Sequence, residues 1–375
     1  MSGTVHIDVT ELLRNPIRTG IQRVERELIR HWPGPARLVP VIAGARGFQR
    51  LSPEILPSLA AGAAIRQGPL DRLLRLLRPM PRNPATLRLV NAELFFDAGR
   101  AGLYADLVRG GARGVGWLLY DFLPWLTPQD FPPGAARFGM AYLRTLRLIP
   151  AVAHISEQTR ADYERRIMRG HGSSGPVIAL GGDGLAMPRQ EFTPARRRYV
   201  ALGTIEPRKN VAAILEAFAR LWQDGSSAEL VVIGMMRGGT AREAEWLARL
   251  AGEANFRYLG VADDARLREV LRGARALVFA SRSEGFGLPP IEALHAGIPV
   301  IVSAHIPSIA MLPPVGQIRL AEPCAAAIEA AVRALEDDGT AARLWQEAAS
   351  LQIPTWRDSA RAFAEWAQDL PVASR

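Results

Sequence analysis

Between residues 199 and 303 the chain alternates short apolar runs with amphipathic stretches, and that regularity restricts the fold more than any other feature of the sequence. Residues 199–202, 230–233, 256–259, 276–279 and 299–303 read as strands, and 211–224, 242–252, 265–273 and 289–296 as helices. Apolar strands alternating with helices imply a parallel sheet covered on both faces. Ligands on such sheets bind outside the carboxyl ends of the strands. The polar motifs of this half fall at those ends.

The first motif runs Gly203, Thr204, Ile205, Glu206, Pro207, Arg208, Lys209, Asn210. It leaves a strand and opens a helix, where free N–H groups and the helix dipole favour a phosphate. Arg208 and Lys209 add two full charges there, although such a pair can also be a solvated cap. The second motif runs from Ser281 through Glu284, Gly285, Phe286, Gly287, Leu288, Pro289 and Pro290 to Glu292. Glycines let backbone approach a ligand, and Pro290 suits a first helical turn. Glu284 in the loop and Glu292 on the helix can face one ligand, and carboxylates accept well from the hydroxyls of a ribose or hexose. The plainer alternative is a capping Glu284 and a surface Glu292.

These motifs resemble those of the retaining glycosyltransferases of family 4, whose signature is two glutamates separated by seven residues. Glu284 and Glu292 stand at that spacing, and Gly297, Ile298, Pro299 and Val300 follow in kind. In the first half, Asp8 to Thr10 and Arg18 to Val24 resemble the family's N-terminal glycine loop. Tyr120 to Pro124 resembles its Asp-containing segment, and 155–160 and 180–183 resemble two further blocks. The resemblance implies an α/β chain of the GT-B class, two Rossmann-like domains facing across a cleft. The N-terminal, acceptor-binding domain would take 1–185 and the nucleotide-sugar-binding domain 186–355, with a C-terminal helix at 356–375 packing back on the first. Residues 173–194, rich in Gly and Pro, read as the connection.

By the same resemblance, Arg208 and Lys209 would bind the donor diphosphate, beside Gly203 and Thr204. Glu292 would hold the ribose hydroxyls. Glu284, with the N–H groups of Phe286, Gly287 and Leu288 next to Gly285, would hold the transferred sugar and phosphate. Gly20 would sit at the mouth of the cleft, and Val261, after Gly260, would touch the base. Many relatives carry His where this chain has Tyr120, and a phenol of ordinary pKa near 10 is no base at pH 7. Asp121 is left to hold a sugar or acceptor hydroxyl. His154, alone between apolar residues, reads as a structural residue with its hydrogen bonds satisfied. The implied reaction moves a sugar from a nucleoside diphosphate to a hydroxyl of a glycan or lipid-linked acceptor. The Gly20–Arg23 loop and the Tyr120–Asp121 block resemble mannosyl- and rhamnosyl-type members of polysaccharide assembly, which favours GDP-mannose. No cofactor and no metal are called for, and no Asp-x-Asp motif is present. An epimerase of the same architecture is the alternative.

Composition adds partners. The chain has 45 arginines and one lysine, Lys209. Residues 1–180 carry 24 arginines against 14 acidic side chains, a balance of +10, while the remainder stands at −1. Such asymmetry points to an anionic partner. Nucleic acid is disfavoured, because no reading module or aromatic interleaving accompanies the charge. Residues 70–78 place Leu70, Leu73, Leu74 and Leu77 on one helical face beside Arg72, Arg75 and Arg78, a pattern that fits an anionic membrane surface or an ordinary buried helix. No run of eighteen apolar residues occurs, and the start lacks a secretory pattern. A cytoplasmic protein, peripheral at the inner face of the membrane, is the expectation. Cys324 is the sole cysteine, which excludes an intrachain disulfide and a four-thiolate metal site.

Overall fold

Runs of three to seven residues, most of them apolar and closed by polar or glycine-bearing turns, make the strands of two sheets. The structure is a computed structural model and describes residues 3–15, 19–34, 36–62, 80, 83–131, 133–171, 174–237 and 240–372. Arg18, Ser173 and the 70–78 segment singled out above lie outside the described residues. The chain divides into two compact units: residues 1–126, 133–180 and 354–375, and residues 127–132 and 181–353.

In the first unit, β1 (Val5–Asp8), β2 (Leu38–Gly44), β3 (Gly47–Arg50), β4 (Arg88–Asn91), β5 (Gly114–Leu119) and β6 (Ala151–His154) lie in the order β3-β2-β1-β4-β5-β6. The β2–β3 hairpin is antiparallel and the other pairings are parallel. β5 is buried along its whole length. Its Trp117 meets Phe95 and Tyr104 edge-on and stacks on Tyr142, ring centroids 4.8–5.4 Å apart. The C-terminal helix Trp356–Gln368 belongs to this unit, capped by Thr355 and Asp358. Ser359 donates to Ala179 O at 2.7 Å, and Phe363 meets Trp32 edge-on at 6.2 Å.

The second sheet is parallel throughout. It comprises β7 (Arg198–Leu202), β8 (Glu229–Ile233), β9 (Phe256–Tyr258), β10 (Ala274–Phe279), β11 (Val300–Ser303) and β12 (Gln317–Leu320), in the order β12-β11-β10-β7-β8-β9. The helix Val211–Gln223 lays Ile214, Leu215, Phe218 and Leu221 into the core, Phe218 edge-on to Tyr199 at 5.6 Å. Burial of one such phenylalanine contributes about 1.5–3 kcal/mol. Strand order reverses between β1 and β4 in one sheet and between β7 and β10 in the other, and at such points the carboxyl ends part to leave a crevice.

The charged stretch 159–169 is not one continuous α-helix. The helix Glu157–Asp162, capped by Ser156, widens into a π-helical turn at Tyr163–Ile167. Tyr163 lies buried there beside Phe122 and His154, and a single widened turn is a usual way to re-aim one side chain. Among the described residues no helix is long and apolar enough to cross a membrane.

Candidate functional site

The strand-order reversal of the second sheet brings the loops after β7 and β10 together. After β7 the chain passes through the single turn Pro207–Lys209 into Asn210, which adopts the left-handed conformation, φ 57°. Asn tolerates that conformation better than most residues. Its side-chain amide donates to Ala280 O at 3.2 Å and Pro323 O at 2.6 Å, and Arg282 N donates to Arg208 O at 2.7 Å. These bonds lock the two loops to each other and deliver both cations to one carboxylate.

Lys209 Nζ donates to Glu284 Oε1 at 2.5 Å, and Arg208 Nη1 donates to Glu284 Oε2 at 3.1 Å and to Ser283 O at 2.9 Å. Arg208 Nη2 also pairs with Glu206 at 2.5 Å, and its guanidinium lies 5.9 Å from the Phe131 ring. Burial by itself would raise the Glu284 carboxyl. The charges of Lys209 and then Arg208, with hydrogen bonds from Lys209 and Ser281, outweigh it and hold the group below its usual range. The result is an ionised carboxylate clamped between two cations. An anion approaching Arg208 and Lys209 competes with Glu284 and Glu206 for the same donors.

The backbone beyond Glu284 leaves no room for other residues at one position. Gly287 has φ +93°, and a Cβ there would stand 2.5 Å from Ile306. Its carbonyl accepts from Ser308 Oγ at 2.7 Å, while Ser308 N donates to Phe286 O at 2.9 Å. Thus fixed, the chain enters the helix Leu288–His295, on which Glu292 is buried. On the other side of β7, the ends of β8 and β9 present Met235, Met236, Tyr258 and Val261, the last 77 % exposed. Of the residues singled out in sequence, Arg208, Lys209 and Glu284 touch one another. Gly203 lies beside Lys209: a Cβ on it would stand 3.9 Å from the lysine stem. Thr204 follows it in the same loop, Gly285 and Phe286 are buried, and Leu288 opens the helix that carries Glu292. The contacts of Glu206 and Phe131 with Arg208 leave no mark in the sequence. A glutamate two residues before an arginine gives no periodic signal, and Phe131 lies more than seventy positions away.

In the first unit, Gly20 opens the helix Gly20–Arg30, whose Thr19 and Gln22 form a capping box. Asp121 follows β5 and accepts from Leu123 N at 3.1 Å. Tyr120 donates its hydroxyl to Ala92 O at 2.6 Å, and burial, then the carboxyls of Glu25 and Glu93, push it well above the ordinary phenol range. His154 departs from expectation. It is fully buried at the end of β6, neither ring nitrogen hydrogen-bonds a described residue, and burial lowers it to about 4. It is a neutral ring packed against Tyr163 at 5.2 Å rather than a satisfied polar residue.

The strand-order reversal of this sheet holds a buried charge cluster that sequence reading did not anticipate. Arg100 donates to Asp8 at 2.8 Å, to Asn91 at 3.1 Å and to Glu93, and stacks over Phe95 at 4.1 Å. Tyr104 donates to Asp8 at 2.7 Å, and Glu93 accepts from Glu11 N and Leu12 N at 2.9 and 2.8 Å. Burial, followed by the Glu93 charge, raises the neighbouring Glu25 carboxyl well above its ordinary value.

Residues 187–352 match the family model described as glycosyl transferases group 1. That stretch takes up most of the second unit. The chain is 39 % identical over 218 residues to the serotype-specific mannosyltransferase WbdA of Escherichia coli, a match covering 52 % of this chain and 27 % of that one. It is 26 % identical over 205 residues to the GDP-mannose:cellobiosyl-diphosphopolyprenol alpha-mannosyltransferase of Komagataeibacter xylinus, covering 50 % and 52 %. The chain thus spans about a quarter of the first relative and about half of the second. Among solved structures, Anabaena HepE in complex with UDP and glucose matches 97 % of this chain and 99 % of its own, with TM-score 0.65 and 14 % identity. The fold is of the GT-B kind, two parallel-sheet α/β units. The glutamate pair, the Arg208–Lys209 pair and the Gly287 turn all lie inside the matched stretch of that domain-sized unit. A cavity of about 630 Å³ in the same domain runs along the helix Val211–Gln223 and is lined by Asn210 and Arg282, but by neither Lys209 nor Glu284. Glu216, which also lines it, pairs there with Arg220 and Arg242.

Proposed function

We propose that the chain transfers a hexosyl group, with mannose the favoured sugar, from a nucleoside diphosphate sugar to a hydroxyl of a glycan or lipid-linked acceptor, retaining the anomeric configuration. The observation that carries this reading is the Lys209–Glu284–Arg208 clamp at the carboxyl ends of β7 and β10. The names of the relatives support the sugar.

Two fixed cations facing a leaving diphosphate stabilise charge as it develops, without reorganisation at the moment of reaction. Binding of the diphosphate draws Arg208 and Lys209 away from Glu284, and the freed carboxylate accepts from the sugar hydroxyls. Glu292 holds the ribose. The leaving diphosphate takes the acceptor's proton on the face it departs from. Arg208 and Lys209 supply the positive charge that a metal supplies in other transferases.

A thermal-shift panel of UDP, GDP, dTDP and ADP tests the donor, because a ligand that binds only the folded state raises the apparent melting temperature. GDP gives the largest rise. With GDP-mannose, transfer persists in excess EDTA and the product keeps the α configuration. No shift with any of the four nucleotides, or a strict Mg²⁺ or Mn²⁺ requirement, overturns this account.

Glu292→Ala raises the donor KM and leaves kcat nearly unchanged, since a ribose contact is equally strong in ground and transition states. Initial rates over a donor series decide it; a fall in kcat at constant KM would place Glu292 at the reacting centre instead.

A further inference from the structure

The first unit has a second concave feature, away from the carboxyl ends of its sheet. A cavity of about 480 Å³ opens where the chain enters β5 and β6, lined by Arg109 and Arg113 just before β5 and Arg147 just before β6, with His171 alongside. All four of these side chains belong to exposed residues, while Ala112, Ile149, Tyr163 and Met168 form a buried, largely apolar floor. No acidic side chain stands among the described lining residues. The acid nearest Arg109, Asp106, lies 3.8 Å away with both side chains mostly in water, where such a pair holds weakly.

We propose that this cavity binds the phosphate group of an ester whose apolar part lies on the floor. Three guanidinium forks around one concavity suit phosphate oxygens, each able to donate two parallel hydrogen bonds. The concave wall concentrates their field, and part of the +10 surplus of residues 1–180 thereby acquires a location. The other large cavity differs in having Glu216 and Glu322 among its lining residues. The proposal does not depend on the donor site, which is built in the other unit.

The test uses the full chain and two probes: inorganic phosphate in calorimetry, and co-sedimentation with phosphatidylcholine vesicles with and without phosphatidylglycerol. The expected result is binding to at least one anionic probe, weakened by on the order of thirtyfold in the Arg113→Gln/Arg147→Gln double variant, about fivefold per arginine. Arg257→Gln, an exposed arginine of the other unit, removes one positive charge away from the cavity and leaves binding unchanged. Thermal melts of all three proteins coincide, because the changed side chains are exposed. Phosphate binding in solution shows that the phosphate group suffices without a membrane, as a soluble ester requires; binding to phosphatidylglycerol vesicles alone identifies a lipid headgroup. Absence of binding to both probes, wild-type affinity in the double variant, or a loss of about fivefold in Arg257→Gln overturns the proposal.

Discussion

Lys209→Ala lowers turnover by on the order of 10²–10³, the usual cost of removing one electrostatic donor from a preorganised site. The substitution deletes the 2.5 Å contact to Glu284 and leaves Arg208 as that carboxylate's remaining ion-pair partner. In the proposed reaction two effects therefore add: the leaving diphosphate loses a cation, and Glu284 loses one of the charges that keep it ionised in a buried position. The loss falls mainly on kcat, because charge on the leaving group grows toward the transition state. Affinity for the nucleoside diphosphate product, measured by calorimetry, falls as well. Lys209→Arg restores charge but places a planar fork where a point charge stood, so it rescues binding more than turnover. Unchanged kinetics in the alanine variant would remove the clamp from any role in the reaction.

Arg100→Leu destabilises the first unit by about 3–5 kcal/mol, the cost of leaving buried charges without their partner. Asp8 and Glu93 face Arg100 with almost no water contact, so the leucine strands two carboxyls in an apolar interior. Burial already raises Glu93 and Glu25, and Arg100 is the main group opposing that rise for Glu93. A carboxyl whose folded pKa lies above its unfolded one binds more protons when folded, so stability falls as pH rises between the two values. The penalty in Arg100→Leu is accordingly largest at neutral pH and shrinks as pH falls toward the ordinary carboxylate range. Hydrogen exchange of the β1 and β4 amides reads the opening of this unit directly. A pH-independent loss would assign the effect to packing over Phe95, not to charge.

The alternation of strand and helix from β7 to β11 was legible because each element has its own period and its own punctuation. Asn210 and Gly287 mark turns in one dimension. The parallel sheet follows from that alternation, and the position of Arg208, Lys209 and Glu284 at its carboxyl edge follows from their place in the turns. β4 and β6 are as short as β11 but lie outside that regular alternation, so no neighbouring helix period marks them, and the π turn at Tyr163 is hidden because its residues are ordinary helix formers.

What the sequence determined by itself was therefore local: which segments become strands, which turns carry charge, and that two glutamates stand eight positions apart. Only the tertiary structure decided which charges meet. Arg100 reaches Asp8 across 92 positions, and Lys209 reaches Glu284 across 75. Those meetings depend on β1 lying against β4 and β7 against β10. The energy of an ion pair depends on distance and burial, and neither is a property of the chain until its strands have found their neighbours.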